Sequence, residues 1–198
     1  MTFEEQLDPD PVVQFENWFA EAQRAGVPQA EAMTLATATP DGRPSARMVL
    51  LKGWGPEGLV WFTGYQSRKG DELAANPRAA LLLFWQPQGR QVRVEGSVEK
   101  TSEEASRRYF QTRPVGSQVA AAVSRQSRPV GSRAELEAAY HELAAEAGEG
   151  PLPLPAEWGG YVLKPDAFEF WEHRDNRLHD RLRYERDGAG WRRFRLQP

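Results

Sequence analysis

Apolar residues at Val12, Phe15, Phe19 and Ala22 share one face at helical spacing, with Asp10-Pro11 as N-cap and first helical position and Gly26 as the stop. This predicts a docked amphipathic helix. Beyond it the period shortens toward that of strands: Ala32 to Thr39 and Ser45 to Lys52 flank the turn Pro40-Asp41-Gly42-Arg43-Pro44, a hairpin. Leu59 to Gly64 reads as a third strand, followed by a short helix capped by Ser67 and stopped near Asn76-Pro77. Ala79 to Gln86 and Gln91 to Glu99 form a second hairpin across Pro87-Gln88-Gly89. Leu81 to Trp85 is apolar on both faces, which makes that strand central.

Two capping boxes, Thr101-Ser102-Glu103-Glu104 and Ser132-Arg133-Ala134-Glu135, open helices to about Thr112 and Ala147, with a further helix expected at Ser117 to Ser124. A proline-rich connector, Gly148 to Pro155, leads to four more strands: Trp158 to Leu163, Ala167 to Trp171, Leu178 to Arg186 and Trp191 to Leu196. Mostly antiparallel strands joined by hairpins and interrupted by helices imply an α+β chain built on a closed or nearly closed barrel, with helices outside.

The length of 198 residues suits one domain, and 40% hydrophobic residues with seven tryptophans imply an aromatic-rich core. Residues 1–9 are expected to be flexible. The absence of cysteine excludes disulfides, a thiolate nucleophile and zinc-thiolate sites. His141, His173 and His179 show no ligand spacing, so no metal is expected. The acidic N-terminus lacks a signal core and no apolar run approaches a membrane span, so the expectation is a cytoplasmic protein.

A net charge of -3 argues against general nucleic-acid binding, but Ala105 to Ala134 holds six arginines and no acid. Small anions are the expected partners of that window. Gly53, Gly55 and Gly58 match a dinucleotide fingerprint in spacing only, because Pro56 intervenes and a strand follows; they read as a hairpin turn.

The positive signal is a set of cations and hydroxyls at element ends. Arg47 and Lys52 flank Met48-Val49-Leu50-Leu51, and Arg68 and Lys69 occupy the first turn of a helix, where free N–H groups attract phosphate. Tyr109, Arg113 and Ser117 come four apart, though Pro114 breaks any single helix through them, and Gln126-Ser127 adds neutral donors. Near the end, Phe168-Glu169-Phe170-Trp171 precedes Arg177-Leu178-His179-Asp180-Arg181. In an extended segment Arg177, His179 and Arg181 share a face, suited to a planar anion lying on an aromatic neighbour; the alternative is a solvated strand edge.

Arg47-Met48-Val49-Leu50-Leu51-Lys52, Ser67-Arg68-Lys69-Gly70, Arg90-Gln91-Val92-Arg93-Val94-Glu95-Gly96, Ser124-Arg125-Gln126-Ser127, Trp158-Gly159-Gly160-Tyr161 and Arg177-Leu178-His179-Asp180-Arg181 together resemble the pyridoxine (pyridoxamine) 5'-phosphate oxidase family. The resemblance covers nearly everything from Asp10 to Pro198. It implies an FMN-binding split barrel, Greek-key-like with peripheral helices, and a homodimer with FMN at the interface. It also implies FMN-dependent oxidation of pyridoxine and pyridoxamine 5'-phosphates to pyridoxal 5'-phosphate, with dioxygen reduced to hydrogen peroxide.

By matched motif, the resemblance gives FMN the residues Arg47, Met48, Val49, Leu50, Lys52, Phe62, Thr63, Arg68, Lys69, Gln91, Gln126, Ser127, Trp171 and Arg181. It gives the substrate phosphate Lys52, Tyr109, Arg113 and Ser117, and sets Arg177, Leu178 and His179 over the pyridine ring, with Arg177 and His179 as the catalytic pair. Two departures stand out: acidic Met1 to Leu7 does not resemble the basic, tyrosine-containing segment many family members carry before the first helix, and Glu172-His173-Arg174-Asp175 lies where the family often has glycine. The competing readings are a related split-barrel oxidase of another ring system, such as a phenazine precursor, and a non-catalytic flavin or vitamer carrier.

Overall fold

The computed structural model describes residues 2–148 and 150–198; Met1 and Glu149, the latter within the expected proline-rich connector, lie outside the described residues. The N-terminal residues dock on the body. Thr2 and Glu5 form a capping box on the short helix α1 (Phe3–Gln6), and Phe3 and Leu7 are buried. The expected flexible start is therefore held, over residues 2–9, by two apolar anchors.

Helix α2 (Pro11–Arg24) starts as its sequence implies, with the Asp10 side chain accepting from Val12 N–H at 2.8 Å, and buries Phe15, Trp18, Phe19 and Ala22. Strands β1 (Ala32–Ala38), β2 (Pro44–Leu50), β3 (Gly53–Gly55), β4 (Gly58–Gly64), β5 (Arg78–Trp85), β6 (Arg90–Lys100), β7 (Trp158–Glu172), β8 (Asp180–Asp187) and β9 (Gly190–Arg195) form one antiparallel sheet. The order is β2-β1-β5-β6-β7-β4-β3, with β8 on β7 and β9 on β8. The two ends of that path, β2 and β3, are consecutive in the chain. Leu51 N–H bonds Glu31 C=O at 2.9 Å and Lys52 N–H bonds Val60 C=O at 2.8 Å, so the sheet curls into a barrel that this junction closes.

Inside lie Met33, Leu35, Trp61, Leu81, Leu83, Val92, Val94, Leu163, Phe168 and Phe170, each fully buried. Strand β5 is central, between β1 and β6, as its two-sided apolar pattern requires. The two strands expected at 158–163 and 167–171 are one continuous β7. Pro165 does not end it because it sits at a bulge, where the β6 register shifts between Glu95 and Gly96. A Cβ on Gly96 would come 2.0 Å from the Lys164 carbonyl, so the bulge needs glycine there.

Helix α3 (Arg68–Ala75) follows β4; α4 (Glu103–Thr112), α5 (Val115–Val123) and α6 (Arg133–Ala147) form a layer over a second small core of Phe110, Val119, Leu152 and Trp158. Helix α4 is capped by Ser102 rather than Thr101, and Glu135 reaches Gly131 N–H instead of completing a box on Ser132. Gly53, Gly55 and Gly58 belong to the β3–β4 hairpin. Among the described residues no helix is long and apolar enough to cross a membrane.

Candidate active site

A cleft of about 480 Å³ opens between β2, β4, α4 and α5. Twelve of the expected site residues line it: Arg47, Met48, Val49, Leu50, Lys52, Phe62, Thr63, Lys69, Tyr109, Arg113, Ser117 and Gln126. Pro114 ends α4 and starts α5, so Tyr109, Arg113 and Ser117 come from a helix, its cap and the next helix, yet converge on one space.

The wall of the cleft is a stack of rings. Phe62 and Tyr109 lie 3.9 Å apart between centroids at 16°, and Phe62 and Trp158 lie 5.6 Å apart at 12°. The Arg113 guanidinium sits 4.9 Å from the Trp158 ring centroid, and its buried Nη1 has no hydrogen-bond partner. Burial lowers the Arg113 pKa and raises that of Tyr109. An unpartnered guanidinium nitrogen beside a phenol is a receptor for an anionic oxygen.

Lys69 sits deeper. Its ammonium donates to Thr63 Oγ1 at 2.9 Å, Gln126 Oε1 at 2.9 Å and Ser67 Oγ at 3.1 Å, all neutral acceptors, and among the described residues no carboxylate pairs with it. Burial first, and the neighbouring Arg47 charge second, lower its pKa to about 8. Gln126, expected to donate, presents its oxygen to Lys69 and Thr63.

Arg47 is organised by a residue that sequence reasoning missed. Buried Glu72 accepts from Thr37 at 2.5 Å, Ser45 at 2.5 Å, Arg68 Nε at 2.9 Å and Arg47 Nη2 at 3.2 Å. Burial alone would raise its pKa, but these four donors outweigh it and hold the carboxyl at about 2. The signal was available: Glu72 stands four residues after Arg68 on a helix. Arg68 and Ser127 stay outside the cleft lining, Arg68 drawn to Glu72 and Ser127 exposed in a left-handed conformation (φ 68).

The remaining expected residues gather elsewhere. Trp171 pairs in register with Gln91 on β6 and Arg181 on β8. Arg181 donates through Nε to Glu169 Oε1 at 2.8 Å, and Arg93 reaches the other oxygen at 2.7 Å; Glu169 is only 2% exposed. Glu169 is a second missed residue, a carboxylate placed between Phe168 and Phe170 to serve two arginines. Arg177 and His179 do not share a strand face with Arg181, because β8 begins only at Asp180. Asn176 (φ 56) and Arg177 (φ 60) turn the backbone left-handed, which breaks the expected alternation. His179 still reaches the Trp171 ring, 4.6 Å between centroids, and Arg177 and Leu178 are exposed beside it.

The two groups lie apart within one chain. Lys52 bonds Val60, Val60 pairs with Val162, and Trp171 lies nine residues further along β7. Trp171, Arg177 and His179 do not line the cleft that holds Lys52, Tyr109, Arg113 and Ser117. The outward sheet face between them carries exposed Met48, Leu50 and Phe84, an apolar surface unusual for a solvated strand layer.

Residues 19–146 match the family described as pyridoxamine 5'-phosphate oxidase, and residues 158–198 match the pyridoxine 5'-phosphate oxidase C-terminal dimerisation region. A pyridoxine/pyridoxamine 5'-phosphate oxidase of Rubrobacter xylanophilus is 57% identical over 98% of this chain and 90% of its own. The Bordetella pertussis protein of that name is 56% identical over 98% and 92%. Among solved structures, PhzG from Burkholderia lata in complex with tetrahydrophenazine-1-carboxylic acid superposes with a TM-score of 0.94 at 35% identity, covering 100% of this chain and 98% of that one.

Proposed function

The chain belongs to the pyridoxamine 5'-phosphate oxidase family, and from that premise we propose that it oxidises pyridoxine and pyridoxamine 5'-phosphates to pyridoxal 5'-phosphate, with dioxygen as acceptor, in sites each shared by two copies of the chain. It is an oxidase, and FMN is its cofactor. The observation that carries the reading is the anion chemistry of the cleft: among the described residues, a buried ammonium without a carboxylate and, in the same lining, a guanidinium nitrogen without a partner.

These donors fit two phosphomonoesters, each carrying about -1.5 to -2 charge at neutral pH. Lys69, with Arg47 and Arg68 braced by Glu72, would hold the FMN phosphate near the start of α3. Lys52, Tyr109, Arg113 and Ser117 would hold the substrate phosphate. Charge-assisted hydrogen bonds contribute on the order of 1.5 to 3 kcal/mol each, so two or three anchor a phosphate.

When bound, FMN would supply a two-electron acceptor for oxidation at the C4' carbon, with dioxygen going to hydrogen peroxide and, for the amine, water taken up and ammonia released. The protein's part is placement and charge. Arg177 and His179 would clamp the pyridine ring, and Trp171, Gln91 and Arg181 would pack against the flavin, Arg181 being held by Glu169. Because Arg177, His179 and Trp171 do not line the cleft of Lys52, Tyr109, Arg113 and Ser117, the reading has the second set come from another copy of the chain. The match to a dimerisation region over 158–198 and the apolar face of Met48, Leu50 and Phe84 support that pairing.

The likeness to PhzG supports a second reading, oxidation of a phenazine precursor. Lys52, Tyr109, Arg113 and Ser117 together favour a phosphorylated substrate over that one. Oxygen uptake by the FMN-loaded protein with pyridoxine 5'-phosphate, with free pyridoxine and with a reduced phenazine carboxylate decides between them. The phosphate reading expects turnover on the first alone; equal rates on the first two would overturn the phosphate clamp.

A further inference from the structure

A line of ion pairs connects the N-terminal helix to the loop that carries His179. Glu4 of α1 clasps Arg195 of β9 with both oxygens, 2.5 Å to Nε and 3.0 Å to Nη2. Arg195 Nη1 meets Asp180 at 2.6 Å, and the other Asp180 oxygen accepts from Arg174 Nε at 2.6 Å. Arg174 Nη2 also lies 2.8 Å from Glu172. The backbone N–H of Arg174 donates to His179 Nδ1 at 3.1 Å.

We propose that Arg174 is a positioning residue for His179, and that Glu4 of the N-terminal helix holds Arg174 in place through Arg195 and Asp180. The role of His179 rests on the function proposed above; the coupling itself rests on these contacts. Residues 173–178 are exposed; His173 N–H bonds Gly89 C=O at 2.8 Å and its ring lies 5.1 Å from that of His179, while two left-handed non-glycine residues disfavour the turn they form. Beyond these contacts, the ion pairs oppose that strain. A single exposed pair contributes little, but here the carboxylate at the centre, Asp180, is only 14% exposed and each of its oxygens serves a different arginine. Arg195, by its hydrogen bond and its charge, holds the Glu4 carboxyl at about 2, so this first link stays ionised across the working range of an enzyme.

The consequence for His179 is chemical. A ring whose Nδ1 accepts a backbone N–H carries its proton, when neutral, on Nε2, which is then the donor available to a ligand. A loosened Arg174 backbone lets the ring exchange tautomers. The acidic first helix thus acts on the reaction from a distance, where a covering segment would act by contact.

The test uses the FMN-loaded dimer with Glu4→Gln, Arg174→Ala and the double variant. Long-range nitrogen-proton NMR of the histidine rings reads the His179 tautomer, flavin absorbance reads cofactor occupancy, and steady-state kinetics read kcat/KM. The expected result is that each single variant keeps its flavin, shifts the His179 Nδ1 signal from the accepting form, and lowers kcat/KM about three- to tenfold, with the double variant no worse than the worse single one. Unchanged His179 signals in Glu4→Gln, or single effects that multiply in the double variant, would overturn the coupling. Shifted signals with unchanged kcat/KM would uphold the coupling and remove His179 from the reaction.

Discussion

The Lys69 ammonium lies 2.9 Å from the Gln126 side-chain oxygen, a contact spanning 57 residues of sequence that joins α3 to the segment after α5. Its pKa of about 8, against an ordinary 10.5, makes this contact a pH-dependent anion receptor. A bound phosphate favours the charged form, so FMN affinity falls as pH rises through about 8, by up to about tenfold per unit for one proton. Fluorescence titration of the FMN-free protein between pH 7 and pH 9.5 checks this, with Lys69→Met expected to bind weakly and without that slope. The stability of the FMN-free protein moves the other way. Between about 8 and 10.5 the unfolded chain binds more protons than the folded one, so the Lys69 contribution rises with pH across that window.

Glu72 gives the acid limb. Its carboxyl is held at about 2 against an ordinary 4.5, so its contribution is present above 4.5 and is lost as pH falls toward 2. That difference corresponds to about 3 kcal/mol. Urea denaturation at a series of pH values should show Glu72→Gln destabilised at pH 7 and converging on the parent protein near pH 2.

Arg113 separates the two anion sites. Replacing it by Ala removes the guanidinium beside Trp158 while leaving Lys69, Arg47 and Glu72 in place. KM for pyridoxine 5'-phosphate should rise about 10- to 100-fold, the loss of one charge-assisted contact of about 1.5 to 3 kcal/mol. FMN should remain bound, as absorbance after gel filtration would record.

Phe84 is 54% exposed on the outward sheet face, two strands from the apolar Met48. Phe84→Asp should split the dimer at micromolar concentration by sedimentation velocity, and FMN binding and turnover should fall together, since the shared site goes with the interface.

The hydrophobic period made the strands and the principal helices legible, because burial on one or two faces dictates it. Pro165 misled the reading of β7, since a proline at a bulge looks in sequence like a strand end. That Arg47, Lys52, Lys69 and Arg113 meet in one cleft was hinted at in sequence only by their joint presence at element ends, since each singly reads as surface charge. The acidic braces gave no such hint: Glu72 and Glu169 are lone carboxylates whose partners come from distant strands. The turn at Asn176 and Arg177 was also hidden, because neither residue advertises a left-handed backbone as glycine would.

The central claim, that each site joins the phosphate cleft of one chain to the His179 loop of another, is tested most directly by subunit complementation. With pyridoxine 5'-phosphate held well below the parent KM, Arg113→Ala and Arg177→Ala proteins are each expected to keep at most about a tenth of the parent oxygen uptake. After unfolding, mixing in equal amounts and refolding with FMN, the shared site predicts recovery of about a quarter of the parent activity, because half of the random dimers are mixed and each holds one intact site of two. No recovery above the separately refolded variants, with mixed dimers shown to be present, would mean that each site belongs to a single chain.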